Sequence, residues 1–243
     1  MNIRTAIDNR TKGKLFVSLA SRPGRTGLQF YTKLFDHYSI DAEYQPCVCT
    51  DLYVDLELAR EHCAGVSITM PFKRQAASLV DEADSPVINT IKIIDNKLIG
   101  HNCDLSGLKD MLTDVVNGKT VSILGDGAMA ENVRTLCSDV QQYSRKLSNW
   151  NLRHSMCDVL INTTSIGMTE GESPVDYLEH CGTVVDCVIG NTVLTKLARD
   201  KNIPCITGQE IYLAQLKHQF KVYTDVDLDP DVLYNVSKGV FGE

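Results

Sequence analysis

Short apolar runs alternate along the first half of the chain with segments whose apolar residues recur at helical spacing. Residues 15–20 form an apolar run that ends at Ser21-Arg-Pro-Gly24, which predicts a strand entering a loop. Leu28, Tyr31 and Leu34 then follow the spacing of one helix face. The pattern continues with predicted strands at 41–49 and 65–70, and helices at 26–38, 52–63 and 73–80. This β-α-β-α-β-α order predicts a mostly parallel sheet.

The pattern changes after residue 80. Residues 87–94 and 97–100 predict a β-hairpin whose turn is Asp95-Asn96. After a predicted helix at 105–116, an apolar strand at 120–124 runs into Gly125-Asp-Gly127 and a helix to about 138. A strand, a glycine turn and a helix in this order are typical of the start of a nucleotide-binding βαβ unit. The remaining predicted elements are strands at 140–143, 159–162, 184–188 and 204–206, and helices at 209–223 and 231–238.

These elements predict an α/β fold with two domains. The first is a mostly parallel α/β domain over residues 1–104, completed by C-terminal helices at 209–243. The second, over residues 105–208, is a shortened Rossmann-like domain. A length of 243 residues suffices for two small cores.

The composition limits the kinds of partner that we expect this protein to bind. The formal net charge of −7 argues against sequence-independent binding of DNA or RNA, because such binding needs a basic surface. No apolar run approaches the roughly 20 residues that span a bilayer, and the first ten residues lack the apolar core of a signal peptide. We therefore expect a cytoplasmic protein that binds neither nucleic acid nor membrane.

The nine cysteines are scattered along the chain without a CxxC motif or a cysteine–histidine ligand pattern. A zinc site is therefore not expected, and no other metal is predicted. We interpret the cysteines as buried and reduced, which agrees with a cytoplasmic location.

Candidate chemistry lies in three closely spaced segments. They are Ser67-Ile-Thr-Met-Pro-Phe-Lys73, Val87-Ile-Asn-Thr-Ile91 and Asn102-Cys-Asp104. Each polar residue is bracketed by apolar β-type residues, as at a strand end that opens into a loop. A lysine and a carboxylate that converge at strand ends are suited to proton transfer with a polar substrate.

The order and spacing of these segments resemble the shikimate dehydrogenase family, whose pattern is N-V-T-x-P-F-K, A-V-N-T-I and N-T-D-x-x-G. The resemblance implies that Lys73 exchanges the proton of the reacting hydroxyl and that Asp104 assists it. It also implies substrate contacts from Thr69, Asn89 and Gln215, the last in a segment similar to the family's G-x-x-M-L-x-x-Q. Without the resemblance, Lys73 is an ordinary surface lysine, Asp104 a helix N-cap and the others turn or helix residues.

The substrate loop departs from the family pattern H-S-x-S-P-x-x-H-N. The register places Gly24 and Thr26 on the two serines that hold a substrate carboxylate, so at least one hydroxyl is missing. Arg22 and Arg25 offer an alternative, because arginine binds carboxylates bidentately. The run from Ser18 is more similar to the shikimate dehydrogenase-like branch of the family.

The cofactor half implied by the resemblance is also altered. Arg145, where the family has N-R-T, implies a contact to a 2′-phosphate and a preference for NADP over NAD. Between Lys146 and Asp158 the chain is too short for the usual helix and strand, so part of the adenosine wall is missing or replaced. The residues implied to contact the cofactor are Gly125, Gly127, Ala128, Arg145, Thr164 and Gly208.

The resemblance therefore implies an NADP-dependent oxidoreductase that interconverts shikimate and 3-dehydroshikimate, in the pathway to aromatic amino acids. One alternative is the same chemistry on quinate or another cyclic hydroxyacid. A second is a degenerate relative that binds ligand without turnover. A homodimer is an assembly state that the sequence leaves open.

Overall fold

The computed structural model describes residues 1–242, which form two compact units. One unit contains Met1–Cys103 and the segment from Lys217 onward, and the other contains Asp104–Leu216. Because the first unit is built from both ends of the chain, the second is inserted into it.

The elements are numbered in chain order. Up to residue 101 they are α1 (Ile3–Asp8), β1 (Lys14–Ala20), α2 (Thr26–His37), β2 (Ala42–Val48), α3 (Leu52–His62), β3 (Gly65–Ile68), α4 (Lys73–Ala77), β4 (Glu82–Ala83), β5 (Thr90–Ile94) and β6 (Lys97–His101). They continue with α5 (Cys103–Val116), β7 (Thr120–Leu124), α6 (Ala128–Arg134), β8 (Asp139–Tyr143), a 3-10 turn (Trp150–Leu152), β9 (Cys157–Asn162), β10 (Cys181–Asp186), α7 (Val193–Asp200), β11 (Cys205–Ile206), α8 (Gly208–Thr224) and α9 (Pro230–Phe241).

The first unit contains a six-stranded sheet in the order β2-β1-β3-β5-β6-β4. Strand β1 pairs in parallel with β2 and β3, as the predicted β-α-β-α-β order requires. The predicted hairpin is present as antiparallel β5 and β6, and Asp95 and Asn96 at its turn have φ of 49° and 61°. Two consecutive positive φ angles are those of a type I′ turn, which matches the twist of the paired strands.

The returning C-terminal helices supply part of the first unit's core. The ring of Tyr223 in α8 lies 4.8 Å from that of Phe16 in β1. Phe241 in α9 packs edge-on against Phe30, with ring centroids 5.4 Å apart. Phe16 and Phe30 are buried, so α8 and α9 complete this core.

The second unit contains a fully parallel sheet in the order β11-β10-β9-β7-β8. Counted within the unit, this is the order 2-1-3-4-5 of doubly wound nucleotide-binding folds, read from the opposite edge. The connections from β7 to β8 and from β9 to β10 run toward opposite edges of the sheet, which places the switch point between β7 and β9. Ligands bind such sheets at this switch point, beyond the carboxyl ends of the two strands.

Several elements differ from the sequence predictions. Helices α1 and α7 were not predicted, although Asn2 and Thr192 cap them by accepting from the amides of Thr5 and Thr195. Both helices are short, so few apolar residues mark their period. Helices α4 and α6 end earlier than predicted, at Ala77 and Arg134.

The described helices are all too short or too polar to span a membrane. Over residues 1–242, histidine, cysteine and acidic side chains form no group that could hold a metal ion. All nine cysteines are free thiols; five are buried and four half-buried.

Candidate functional site

The loop after β3 holds Thr69 and Lys73 in a defined backbone. The Thr69 amide donates to the carbonyl of Leu19 at 3.1 Å, and the Thr69 carbonyl accepts from the amide of Phe72 at 2.9 Å. The Met70–Pro71 peptide is cis. Lys73 is half-buried and begins α4, and its carbonyl accepts from the Ile88 amide at 3.2 Å. The first unit therefore fixes the two motif residues of this loop at the carboxyl end of β3.

Asn89 is buried, and its contacts lie inside the protein. Its side-chain oxygen accepts from the Cys103 amide at 2.9 Å and from the Thr90 hydroxyl at 3.0 Å. Its carbonyl accepts from the amide of Ile68 at 2.8 Å. Asn89 thus ties the end of β3 to the starts of β5 and α5, which is a positioning role that the sequence did not indicate.

A buried network of polar side chains contacts the start of β5, next to Asn89. Gln219 of α8 accepts from the Tyr31 hydroxyl at 2.9 Å and donates to the Thr90 hydroxyl oxygen at 2.8 Å. Sequence reasoning missed Gln219, although it lies four residues after Gln215, on the same helix face. Its amide joins α2, β5 and α8 directly beneath Asn89.

A second hydrogen-bond network is centred on Ser67, which stands where the family pattern N-V-T has asparagine. The Ser67 hydroxyl accepts from the Tyr44 hydroxyl at 2.8 Å and lies 2.9 Å from that of Tyr223. Burial raises the pKa of Tyr44 to about 12, so the phenol is neutral throughout the physiological range. Ser67 is therefore a structural hydrogen-bond partner.

The first loop presents cations to solvent. Arg22 and Arg25 are exposed, and neither forms an ion pair with another described residue. Thr26 begins α2 and is half-buried, while nothing lies within 4 Å of a side chain built at Gly24. The Ser21 amide donates to the Met70 carbonyl at 3.4 Å, which brings this loop next to the segment of Thr69 and Lys73.

Asp104 and Gln215 belong to the second unit. Asp104 is buried in the first turn of α5, and Gly107 lies one turn later on the same side of that helix. A side chain at Gly107 would collide with the backbone of Gln215, so α5 and α8 touch backbone to backbone there. The motif N-T-D-x-x-G thus places Asp104 one turn away from the contact with Gln215.

The second unit has a cavity of about 430 Å³ at the switch point between β7 and β9. Three of the six residues implied to bind cofactor line it together: Gly125, Arg145 and Thr164. The other lining residues are Asp126, Ser144, Lys146, Trp150, Ser165 and Ile166. The sequence analysis had named neither Ser144 nor Trp150; the signal for Trp150 was a lone tryptophan inside the shortened connection.

The glycine turn approaches this cavity closely. Gly125 has φ of +118°, and a side chain there would collide with the Thr163 hydroxyl. Asp126 lies beside it in the lining. Gly127 and Ala128, at the start of α6, are not among the lining residues, and nothing lies within 4 Å of a Cβ built at Gly127.

Gly208 lies apart from this cavity. A Cβ at Gly208 would collide with the carbonyl group of Val188, so the start of α8 packs directly on the loop after β10. In that loop, Ile189 is 42% exposed. The glycine is thus required by close backbone packing.

Fold and cavity together define an α/β protein whose second unit has the strand order of doubly wound folds and a cavity at the switch point. A curated relative, shikimate dehydrogenase (NADP(+)) from Pyrococcus furiosus, is 26% identical over 85% of this chain and 88% of its own length. The shikimate dehydrogenase-like protein of Haemophilus influenzae is 23% identical over 87% of this chain and 90% of its own. No protein-family model matches the chain.

Solved structures agree with this fold. The shikimate 5-dehydrogenase of Thermus thermophilus, solved with NADP(H) and shikimate, superposes with a TM-score of 0.81 at 20% identity. The match covers 93% of this chain and 99% of the Thermus chain. The α/β fold class and the resemblance to shikimate dehydrogenases are thereby confirmed.

Proposed function

We propose that this protein is an NADP(H)-dependent oxidoreductase of the shikimate dehydrogenase type. The observation that carries the proposal is the cavity at the switch point, where Gly125, Arg145 and Thr164 converge. The cofactor, when bound, accepts or supplies the hydride. The second unit would hold it.

The residues around the cavity fit a phosphorylated dinucleotide. Gly125 lets the backbone approach a pyrophosphate closely, and Thr164 adds a hydroxyl at the carboxyl end of β9. Arg145 and Lys146 are exposed cations without an ion-pair partner among the described residues. Two free cations suit a 2′-phosphate and favour NADP(H) over NAD(H). Asp126 opposes an anion in the same cavity, so its charge must be outweighed by these cations.

On the substrate side, Lys73 accepts the hydroxyl proton as the alcohol is oxidised and returns it in the reverse direction. Asp104 would assist this proton exchange, as the resemblance to the family pattern implies. Thr69, Asn89 and Gln215 would position the ring.

The substrate carboxylate would be held by Arg22, Arg25 and Thr26. This assignment departs from the family pattern, because Gly24 stands where the pattern has one of its two serines and so lacks the hydroxyl. The change favours testing quinate and other cyclic hydroxyacids beside shikimate. Nine free cysteines suit a reducing cytoplasm.

The test is oxidation of shikimate followed by absorbance of the reduced nicotinamide. Purified protein is assayed with shikimate or quinate, and with NADP⁺ or NAD⁺. We expect turnover with shikimate and NADP⁺, and a loss of roughly 10³-fold in kcat for Lys73→Ala, as expected for removal of a general acid–base group. Lys12→Ala, which removes an exposed lysine far from the motif in sequence, is the matched control.

Two outcomes count against the proposal. Near-full activity of Lys73→Ala would remove the catalytic assignment. Absence of turnover with all four pairs, while calorimetry still detects shikimate binding, would instead establish a binding protein without catalysis.

A further inference from the structure

The connection between β8 and β9 lacks the helix that normally links parallel strands. Residues 144–156 contain one turn of 3-10 helix, Trp150–Leu152, and no α-helix. In a βαβ unit the linking helix usually covers one face of the sheet and borders the nucleotide. The side of the cavity that this helix would normally cover must therefore be formed by another part of the chain.

The start of the connection is an ordered turn. Asn149 accepts from the Ser144 amide at 2.9 Å and donates to the Gln142 carbonyl at 2.8 Å. The Ser144 hydroxyl accepts from the Leu147 amide at 3.0 Å. These bonds fix the backbone from which Arg145 and Lys146 project, and they lead directly into Trp150.

Trp150 is held from one side by Arg153. The guanidinium carbon lies 4.5 Å from the centroid of the indole. The same guanidinium donates to the Pro174 carbonyl at 2.6 Å and to the Trp150 carbonyl at 3.0 Å. Arg153 is not among the lining residues, whereas Trp150 is. The indole is therefore backed by a fixed cation and borders the cavity.

We propose that Trp150 is the stacking surface for the purine base of the bound nucleotide and replaces the missing helix. This inference rests on the proposed cofactor site and assigns one residue within it. Aromatic side chains stack on bases through their π-faces, and indole offers the largest face. The base would lie on Trp150 while Arg145 and Lys146 bind the phosphate on the adjoining ribose.

Trp150 is the only tryptophan of the chain, so its fluorescence reports this site alone. The probe is 2′,5′-ADP, which carries the base and both phosphates of that half of NADP without the nicotinamide. We expect saturable quenching of the emission, with the same Kd by calorimetry. We also expect the Kd of Trp150→Leu for 2′,5′-ADP to be about tenfold higher, since base stacking on an aromatic ring contributes this order of affinity.

Matched measurements isolate stacking from folding. Trp150→Phe retains an aromatic face and should stay within about threefold of the parent Kd. Reduced nicotinamide mononucleotide lacks the base, so its Kd should be the same for parent and Trp150→Leu. Equal thermal midpoints of the unliganded variants would show that the connection still folds.

Each outcome separates this inference from the proposed function. If 2′,5′-ADP and NADP⁺ both fail to bind the parent protein, the cofactor proposal and this inference fall together. If NADP⁺ supports turnover but Trp150→Leu binds 2′,5′-ADP with the parent Kd, only the stacking role is overturned. If the tenfold loss occurs without any shikimate oxidation, the stacking role stands and the substrate assignment fails.

Discussion

At the scale of single residues, Asp186 is the clearest case of a buried charge tied to the shape of the second unit. It is completely buried at the end of β10. Its carboxylate accepts from the Thr192 hydroxyl at 2.5 Å, the Asn162 amide group at 2.9 Å and the Val188 amide at 3.1 Å. Burial raises its pKa despite these three donors. The carboxylate joins the ends of β9 and β10 to the start of α7.

This raised pKa gives a pH-dependence of stability. A carboxyl whose folded pKa exceeds its unfolded value near 4 contributes full stability below about pH 4 and loses it as pH rises through the folded pKa. In Asp186→Asn this contribution is absent. We therefore expect the parent's free energy of unfolding to fall relative to that of the variant as pH rises from about 4 to 7.

Urea unfolding of both proteins across this range provides the measurement, because the groups common to both cancel in the difference. A difference that stays constant with pH would contradict the assignment. Asp186→Ala leaves all three donors without their acceptor and should be destabilised by about 2–4 kcal/mol near pH 4, with a smaller difference from the parent as pH rises.

At the scale of elements, sequence reasoning found most strands and helices because hydrophobic period and turn residues agree there; the two-residue strand β4 (Glu82–Ala83) was not predicted. The hairpin at Asp95-Asn96 is an example: turn chemistry and flanking β-type residues both point to it. The segments that carry the proposed catalytic residues were located from their position at strand ends and from their resemblance to the shikimate dehydrogenase pattern. The position of Trp150 at the edge of the cavity was not predicted. It depends on the stacking of Arg153 on the indole and on the hydrogen bond of Arg153 to the Pro174 carbonyl, which joins distant parts of the chain.

The turn between β7 and α6 contains two glycines that we expect to be needed for different reasons, Gly125 for stability and Gly127 for ligand binding. Gly125 has φ of +118° and no room for a Cβ, so Gly125→Ala should destabilise the protein by about 1–3 kcal/mol. Gly127 has extended backbone and open space around it, so Gly127→Ala should change stability by less than about 0.5 kcal/mol.

Thermal unfolding with and without NADP⁺ checks this pair. If the pyrophosphate lies on the turn, Gly127→Ala should weaken NADP⁺ binding while its unliganded midpoint stays that of the parent. Equal stability losses in both variants would show that the open space at Gly127 is not available.

At the scale of the whole molecule, each unit has its own sheet and its own buried core. A ligand that binds one folded unit adds RT ln(1 + [L]/Kd) to the stability of that unit, about 2.7 kcal/mol at a hundred times Kd. NADP⁺ should therefore raise the unfolding midpoint recorded by Trp150 fluorescence, since that residue lies in the second unit.

Shikimate provides the comparison. We expect it to raise the midpoint recorded by tyrosine near-UV signals, which come mostly from the first unit. A rise with shikimate and none with NADP⁺ in the Trp150 signal would argue against nucleotide binding by the second unit.

Because the first unit consists of two separate segments of the chain, its two parts are synthesised at different times. Phe16 and Phe30 leave the ribosome before the second unit, whereas their ring partners Tyr223 and Phe241 follow it. The second unit is continuous and can fold while the first still exposes apolar rings. A chain that stops near residue 216 would therefore carry a complete second unit and an incomplete aromatic core in the first, and would be a target for chaperones and proteases.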